Sequence, residues 1–249
     1  MKLTIGHLYP DLLNLYGDRG NIQCLMRRCQ WRGIEAETIA FELGDKIDFS
    51  RLDIVLLGGG SDREQMLVCE KLKEIQPDFK KYVEDGGVVI AICGGYQLLG
   101  KYYKTEQGTI TGLDLVDLYT EQGEGRLISN IVLKSDLFDM PIVGFENHGG
   151  QTRNVKTPLG KVLHGCGNTF QDGMEGFYQG QVFATYMHGP LLPKNPDIAD
   201  FMIVKALQKK HPQIGPDDLS LLDDTLEHQA KNAMLRRLGV PEVPYEFKG

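Results

Sequence analysis

No stretch of this 249-residue chain stays apolar for anything near the ~18–20 residues of a membrane-spanning helix. The first residues, Met1 to His7, read as a short strand and lack the longer apolar segment of a signal peptide, so a cytoplasmic protein is expected. Positive charge is scarce: 27 Lys and Arg face 34 Asp and Glu, a net −7. That argues against a nucleic-acid footprint and for plain solubility. The five cysteines, Cys24, Cys29, Cys69, Cys93 and Cys166, form no CxxC pair. In a reducing compartment they read as free thiols, four structural and one reactive. Cys and His spacings match no zinc pattern, so no metal site is expected. Neither an internal repeat nor a low-complexity linker is present, and no ATP-binding motif occurs.

What is present, with 41% hydrophobic residues, suffices for one large α/β domain or two small ones. In the first hundred residues short β-rich runs alternate with helical segments. Strands are expected at Leu3–Leu8, Ala36–Glu42, Asp53–Leu57 and Val88–Cys93, helices at Asn21–Gly33 and Arg63–Asp85. Apolar runs of this kind between helices indicate strands buried on both faces, hence a mainly parallel sheet flanked by helices. The second half changes character. Leu113–Tyr119, Arg126–Lys134, Ile142–Phe145, Gly160–His164 and Gln181–Met187 read as strands of a mixed or antiparallel extension. The C-terminal stretch returns to helix, with Asp217, Asp218, Asp223 and Asp224 early and Lys231, Arg236 and Arg237 late, as the helix dipole favours. Gly239 suits the terminating position. Leu219, Leu222, Leu226, Ala230 and Ala233 form an apolar stripe expected to pack on the parent domain, with a partner-facing role as the alternative.

Residues 88–97, Val-Val-Ile-Ala-Ile-Cys-Gly-Gly-Tyr-Gln, are the most informative. An apolar run stops at Cys93, two glycines follow, and Gln97-Leu98-Leu99 begins a helix. Such a turn lifts one thiol clear of a buried strand with a helix N-terminus aimed at it, which favours thiolate. It also leaves the Gly94 amide able to face an oxyanion. Gly58-Gly59-Gly60-Ser61-Asp62 follows another buried strand. It fits neither the Rossmann spacing nor the P-loop, which needs a Lys-Ser/Thr pair, and suits bare amides close to a substrate carbonyl. His188 and His148 each end a strand-like run beside glycine, and the residues alone leave the choice of a base for Cys93 open between them. His7, His164, His211 and His228 have no such setting.

Ile92-Cys93-Gly94-Gly95-Tyr96-Gln97 resembles the nucleophile segment of class I, triad-type glutamine amidotransferases, and more closely that of the cobyric-acid-synthase-like branch. Leu13 to Asn21, Gly58 to Gln65, Gly144 to Gly150 and Tyr186 to Pro190 extend the resemblance over most of the chain. With them it narrows to the glutaminase subunits of lipid II isoglutaminyl synthases. The resemblance implies a flavodoxin-like amidotransferase domain over residues 1–200, with a C-terminal helical extension, 201–249, packed on it. It implies Cys93 as nucleophile and His188, in Thr185-Tyr186-Met187-His188-Gly189, as base, with His148 shaping the glutamine pocket or packing behind it. By the same resemblance an amide of Gly58–Gly60, Gly59 at its centre, joins Gly94 in the oxyanion hole. The resemblance also implies that Arg126 binds the substrate's α-carboxylate and that Gln97 contacts the substrate, although Gln97 could equally satisfy the elbow backbone.

One departure stands out. Most class I amidotransferases carry a Glu two residues after the catalytic histidine, where this chain has Pro190. The resemblance then implies an aspartate supplied by the ligase partner, with Glu146 as the rival within the chain, and an isolated chain that is slow. The implied function is hydrolysis of L-glutamine to glutamate and ammonia. The ammonia would serve a MurT-like Mur-ligase partner that holds ATP and Mg²⁺ and amidates the D-glutamate of lipid II in peptidoglycan synthesis. A cobyrinic or cobyric acid amidating system is the alternative, and a catalytically silent interaction module a further one.

Overall fold

The structure is a computed structural model and describes residues 1–247. In chain order its elements are β1 (Lys2–Leu8), α1 (Arg19–Trp31), β2 (Glu35–Phe41), β3 (Ile54–Leu57), α2 (Asp62–Glu84), β4 (Val88–Ile92) and α3 (Gly94–Leu99). Then follow β5 (Tyr102–Thr105), β6 (Gly108–Thr111), β7 (Tyr119–Lys134), β8 (Ile142–Arg153), β9 (Gly160–His164), β10 (Met174–Glu175), β11 (Phe177–Gln179) and β12 (Val182–Thr185). The last helices are α4 (Leu191–Lys194), α5 (Pro196–Lys210) and α6 (Thr225–Arg237). No helix among the described residues is long and apolar enough to cross a membrane.

The first sheet has the strand order β11-β12-β4-β3-β1-β2. All neighbours are parallel except β11, which pairs antiparallel with β12. Every residue of β3, β4 and β12 is buried, as the unbroken apolar runs require of strands covered on both faces. The parallel strands wind in the flavodoxin-like order, which collects functional groups at their carboxyl ends. There, β3 delivers Gly58, β4 delivers Cys93, and β12 leads to His188.

The second sheet runs β10-β9-β7-β5-β6, with β8 on the other side of β7. Three expected strands differ, one of them Ile142–Phe145, which runs on to Arg153 as β8. Leu113–Leu118 is not a strand, because the amides of Leu113, Asp114 and Leu115 bond to the carbonyls of Leu98, Gly100 and Leu99 and wrap the end of α3. The strand expected from Arg126 instead begins at Tyr119 and passes through a bulge between Gln122 and Leu127.

Of the stripe expected near the C-terminus, Leu219 packs in the core, but the part on the last helix is corrected. Leu226 is 77% exposed, Ala230 and Ala233 are exposed, and the buried face of α6 is His228, Lys231 and Leu235. Charge decides this orientation. Buried Arg28 of α1 donates to both carboxylate oxygens of Asp224, at 2.6 and 2.8 Å, and to both of Asp200, while Lys231 stands 3.7 Å from Asp197. Breaking such a buried pair strands an uncompensated charge, so the pair fixes the packing more firmly than a few exposed alanines could. Leu235 adds an apolar contact to Val132 and Val143.

Candidate active site

Cys93 closes the buried strand β4 with φ 50 and ψ −103, a conformation that costs a side-chain-bearing residue of order 1–3 kcal/mol and persists only where its surroundings impose it. They do so here. The Cys93 amide donates to the Thr185 carbonyl at 2.8 Å, the Gln97 amide to the Cys93 carbonyl at 3.0 Å, and the Gly95 amide to the Gly58 carbonyl at 3.0 Å. A Cβ on Gly95 would come within 2.3 Å of the Leu57 carbonyl oxygen, so the elbow and the glycine turn fit together only because both are bare backbone. Cys93 and the four other cysteines are free thiols. Burial pushes Cys24 up to about 12 and Cys29 up to about 11, and also raises Cys69 and Cys166.

Around Gly59 three functional groups converge. A Cβ there would lie 2.9 Å from His188 Cε1, 3.2 Å from Cys93 Cβ and 3.4 Å from Asp18 Oδ2. His188 is fully buried. Its backbone is fixed by a two-way bridge, His188 N to Phe145 O at 2.7 Å and Phe145 N to His188 O at 3.3 Å. Asp18, also fully buried, presents Oδ1 at 3.7 Å from His188 Nδ1 and accepts the Gly59 amide on Oδ2 at 2.7 Å. Burial opposes a charged imidazole, but the neighbouring Cys93 and Asp18 outweigh it and raise His188 to about 10.

Asp18 is the member of this cluster that sequence reasoning missed. Locally it is an acidic residue just before a helix, which reads as a cap. Yet its side chain makes no capping bond to α1. Packing turns it inward. A Cβ on Gly20 would strike Pro190 Cγ at 2.5 Å, and Asn21 Oδ1 accepts the Leu192 amide at 2.9 Å. Pro190, standing where most of the proteins this chain resembles carry a glutamate, thus docks the turn that carries Asp18. The place beside His188 therefore already holds a carboxylate from this chain. Glu146 is not that carboxylate, being tied to Ser129 Oγ at 2.5 Å and to the amides of Cys166 and Gly167 at 2.7 and 2.8 Å.

The Gly59 amide, expected in the oxyanion hole, is occupied by Asp18. The free amide of this turn is that of the next residue, Gly60. The amides of Gly60 and Gly94 have no partner among the described residues, and Gly60 N lies 3.0 Å from where a Cβ of Gly94 would stand. Gln97 is buried. Its Oε1 accepts from Gln65 Nε2 at 3.0 Å and its Nε2 donates to Tyr186 Oη at 3.2 Å. Because Gln65 Nε2 also donates to the Gly60 carbonyl at 3.2 Å, Gln97 braces the glycine turn from within.

A cavity of about 1000 Å³ opens onto these groups, lined among others by Cys93, Gly60, Gln97, Arg126, Asn147 and His148. Arg126 sits on the bulge of β7, which turns it out of the sheet register and toward the cavity. His148 has Nδ1 2.6 Å from the Gly150 carbonyl oxygen and stacks on Tyr186 with ring centroids 3.6 Å apart. The structure thus brings Cys93, His188, Gly94 and Gln97 to one place, with Arg126 across the same cavity.

The profile of the CobB/CobQ-like glutamine amidotransferase domain matches residues 4–196. The chain is 43% identical over 237 residues, 95% of its own length and 96% of the relative's, to the lipid II isoglutaminyl synthase (glutamine-hydrolyzing) subunit GatD of Staphylococcus aureus. It is 39% identical over 85% of its length, and 83% of the relative's, to the subunit of the same name from Streptococcus pneumoniae. A probable cobyric acid synthase of Methanococcus maripaludis is 32% identical over 67% of the chain but only 36% of that protein. Among solved structures, one described as a glutamine amidotransferase superposes with a TM-score of 0.55 at 18% identity, covering 81% of this chain and 98% of that one, a likeness of fold.

Proposed function

The chain belongs to the CobB/CobQ-like glutamine amidotransferase family, and from that premise we propose that it is the glutaminase subunit of a lipid II isoglutaminyl synthase. The observation that carries the reading is the meeting of Cys93, His188 and Asp18 around Gly59 beside two unpaired amides. Cys93 gives its proton to His188, and its sulfur attacks the γ-carboxamide carbon of L-glutamine. The tetrahedral oxyanion is received by the Gly60 and Gly94 amides. The imidazolium returns the proton to the departing nitrogen, releasing ammonia and leaving a thioester on Cys93. Water, deprotonated by His188, then cleaves the thioester to glutamate and free thiol. Asp18, facing Nδ1, holds a second proton on that nitrogen and leaves Nε2 to carry the mobile one.

The partner, a MurT-like Mur-ligase subunit, would hold ATP and Mg²⁺ and use the ammonia to amidate the D-glutamate of lipid II. The overlap with subunits named GatD, over 95% and 85% of this chain, supports the reading. Glutamine hydrolysis measured on the purified chain with and without that partner, followed by ATP-dependent amidation of lipid II, tests it. Amidation of a corrinoid acid and not of lipid II would transfer the chain to the cobyric acid systems.

Arg126→Ala is expected to raise the KM for glutamine by about tenfold or more, the worth of a hydrogen bond to a charged group, with kcat lowered no more than a few-fold. A KM at the wild-type value with only a lowered Tm would make Arg126 structural. Gly59→Ala is expected to push His188 and Cys93 apart and to lower kcat by about 10²-fold, as a displacement of about 1 Å does, with the circular dichroism of the fold retained. Wild-type kcat in that variant would refute the convergence.

A further inference from the structure

Tyr16 is 41% exposed yet held in the left-handed region at φ 60 and ψ 21, where a non-glycine residue remains only if its neighbours hold it. Two contacts do. Its hydroxyl accepts from Asn147 Nδ2 at 2.6 Å. Its ring stands edge-on to His188 and Phe145, with centroids 4.9 and 6.0 Å away. Asn147 carries a second connection. Its Oδ1 accepts from Arg126 Nε at 3.1 Å and Nη2 at 2.9 Å, and its backbone carbonyl from Nη2 at 3.4 Å. Arg126 Nη1 makes no hydrogen bond among the described residues, so one end of the guanidinium is left for a ligand.

The amide of Asn147 can serve both neighbours in one orientation only. Arg126 has donors alone, so it demands the carbonyl oxygen, and the NH₂ is thereby aimed at Tyr16. Strand alternation on β8 puts Asn147 on the same face as Phe145, whose backbone bridges His188.

We infer that Asn147 and Tyr16 are positioning residues of the glutamine site: Asn147 fixes one edge of Arg126 so that the other meets the substrate α-carboxylate, and the same amide pins Tyr16 as a cover on His188. The inference rests on the glutaminase reading and deepens it. It makes the cover over the base depend on the residue that anchors the substrate, since an Asn147 released from Arg126 no longer has a reason to point its NH₂ at Tyr16.

The test is the rate of Cys93 alkylation in the full chain by the glutamine analogue 6-diazo-5-oxo-L-norleucine, followed against its concentration. Asn147→Ala is expected to raise the half-saturating concentration about fivefold, the effect of one lost hydrogen bond of ordinary worth, and to add nothing further in an Arg126→Ala background. Tyr16→Phe, which keeps the ring and removes only the hydroxyl, is expected to leave half-saturation unchanged and lower the limiting rate a few-fold. Asn147→Ala should lower the limiting rate by a similar factor. Additive losses with Arg126→Ala, an unaltered half-saturation in Asn147→Ala, or an unaltered limiting rate in Tyr16→Phe would each overturn the inference while leaving the glutaminase reading intact. A wild-type chain that takes no label on Cys93 would instead overturn the glutaminase reading, and this inference with it.

Discussion

Replacing Cys93 with alanine is expected to abolish glutamine hydrolysis, a loss on the order of 10⁶ in kcat when a nucleophile acting with its base is removed. The same change should abolish the single covalent label that 6-diazo-5-oxo-L-norleucine leaves on the wild-type chain, located by peptide mass spectrometry. Alanine keeps the Cβ, so the backbone at φ 50 meets the same contacts as before and the elbow is retained. No other thiol can take over. Burial raises the values of Cys24, Cys29, Cys69 and Cys166, which disfavours their thiolates. A full stoichiometry of label on any of those four, or activity persisting in Cys93→Ala, would refute the assignment.

Asp18→Asn is expected to lower kcat by about 10³–10⁴-fold, the cost of presenting an amide where an orienting carboxylate belongs. An asparagine oxygen can still accept the Gly59 amide now held at 2.7 Å, so the glycine turn should stay in place. Its NH₂ would then face His188 Nδ1 and favour the tautomer with the proton on the wrong nitrogen. Removing the negative charge also removes one of the two influences that raise His188 to about 10, so the pH at which Cys93 alkylation changes should move. Measurement on both the free chain and the complex decides between two sources of the acid. If the complex of Asp18→Asn runs at the wild-type rate and changing one partner aspartate abolishes it, the orienting carboxylate belongs to the partner, as the resemblance implied. If both forms fall together, it belongs to this chain.

The groups that sequence alone made legible share one property: each is encoded by neighbours in the chain. The parallel sheet follows from short apolar runs between helices, because a strand buried on both faces can hold no polar alternation. The Cys93 elbow follows from an apolar run that ends against two glycines, and the Gly58–Gly60 turn from bare backbone at a strand end. Gly239, at φ 70 just past the last helix, is equally local.

What only the tertiary structure decided involves partners far apart in sequence. Asp18 looks like a helix cap until Gly20 packs on Pro190 and turns it toward His188. The amide left free at the glycine turn is that of Gly60, because Asp18 takes the Gly59 amide. The last helix shows its alanines to solvent and buries His228 and Lys231 because Arg28 and Asp197 lie beneath it. Periodicity and turn chemistry report the backbone conformation of a segment, since they act through its own dihedral angles and faces. Which charges and amides then meet depends on how separate elements dock, and a buried carboxylate goes wherever that docking leaves an unpaired donor or a basic ring for it.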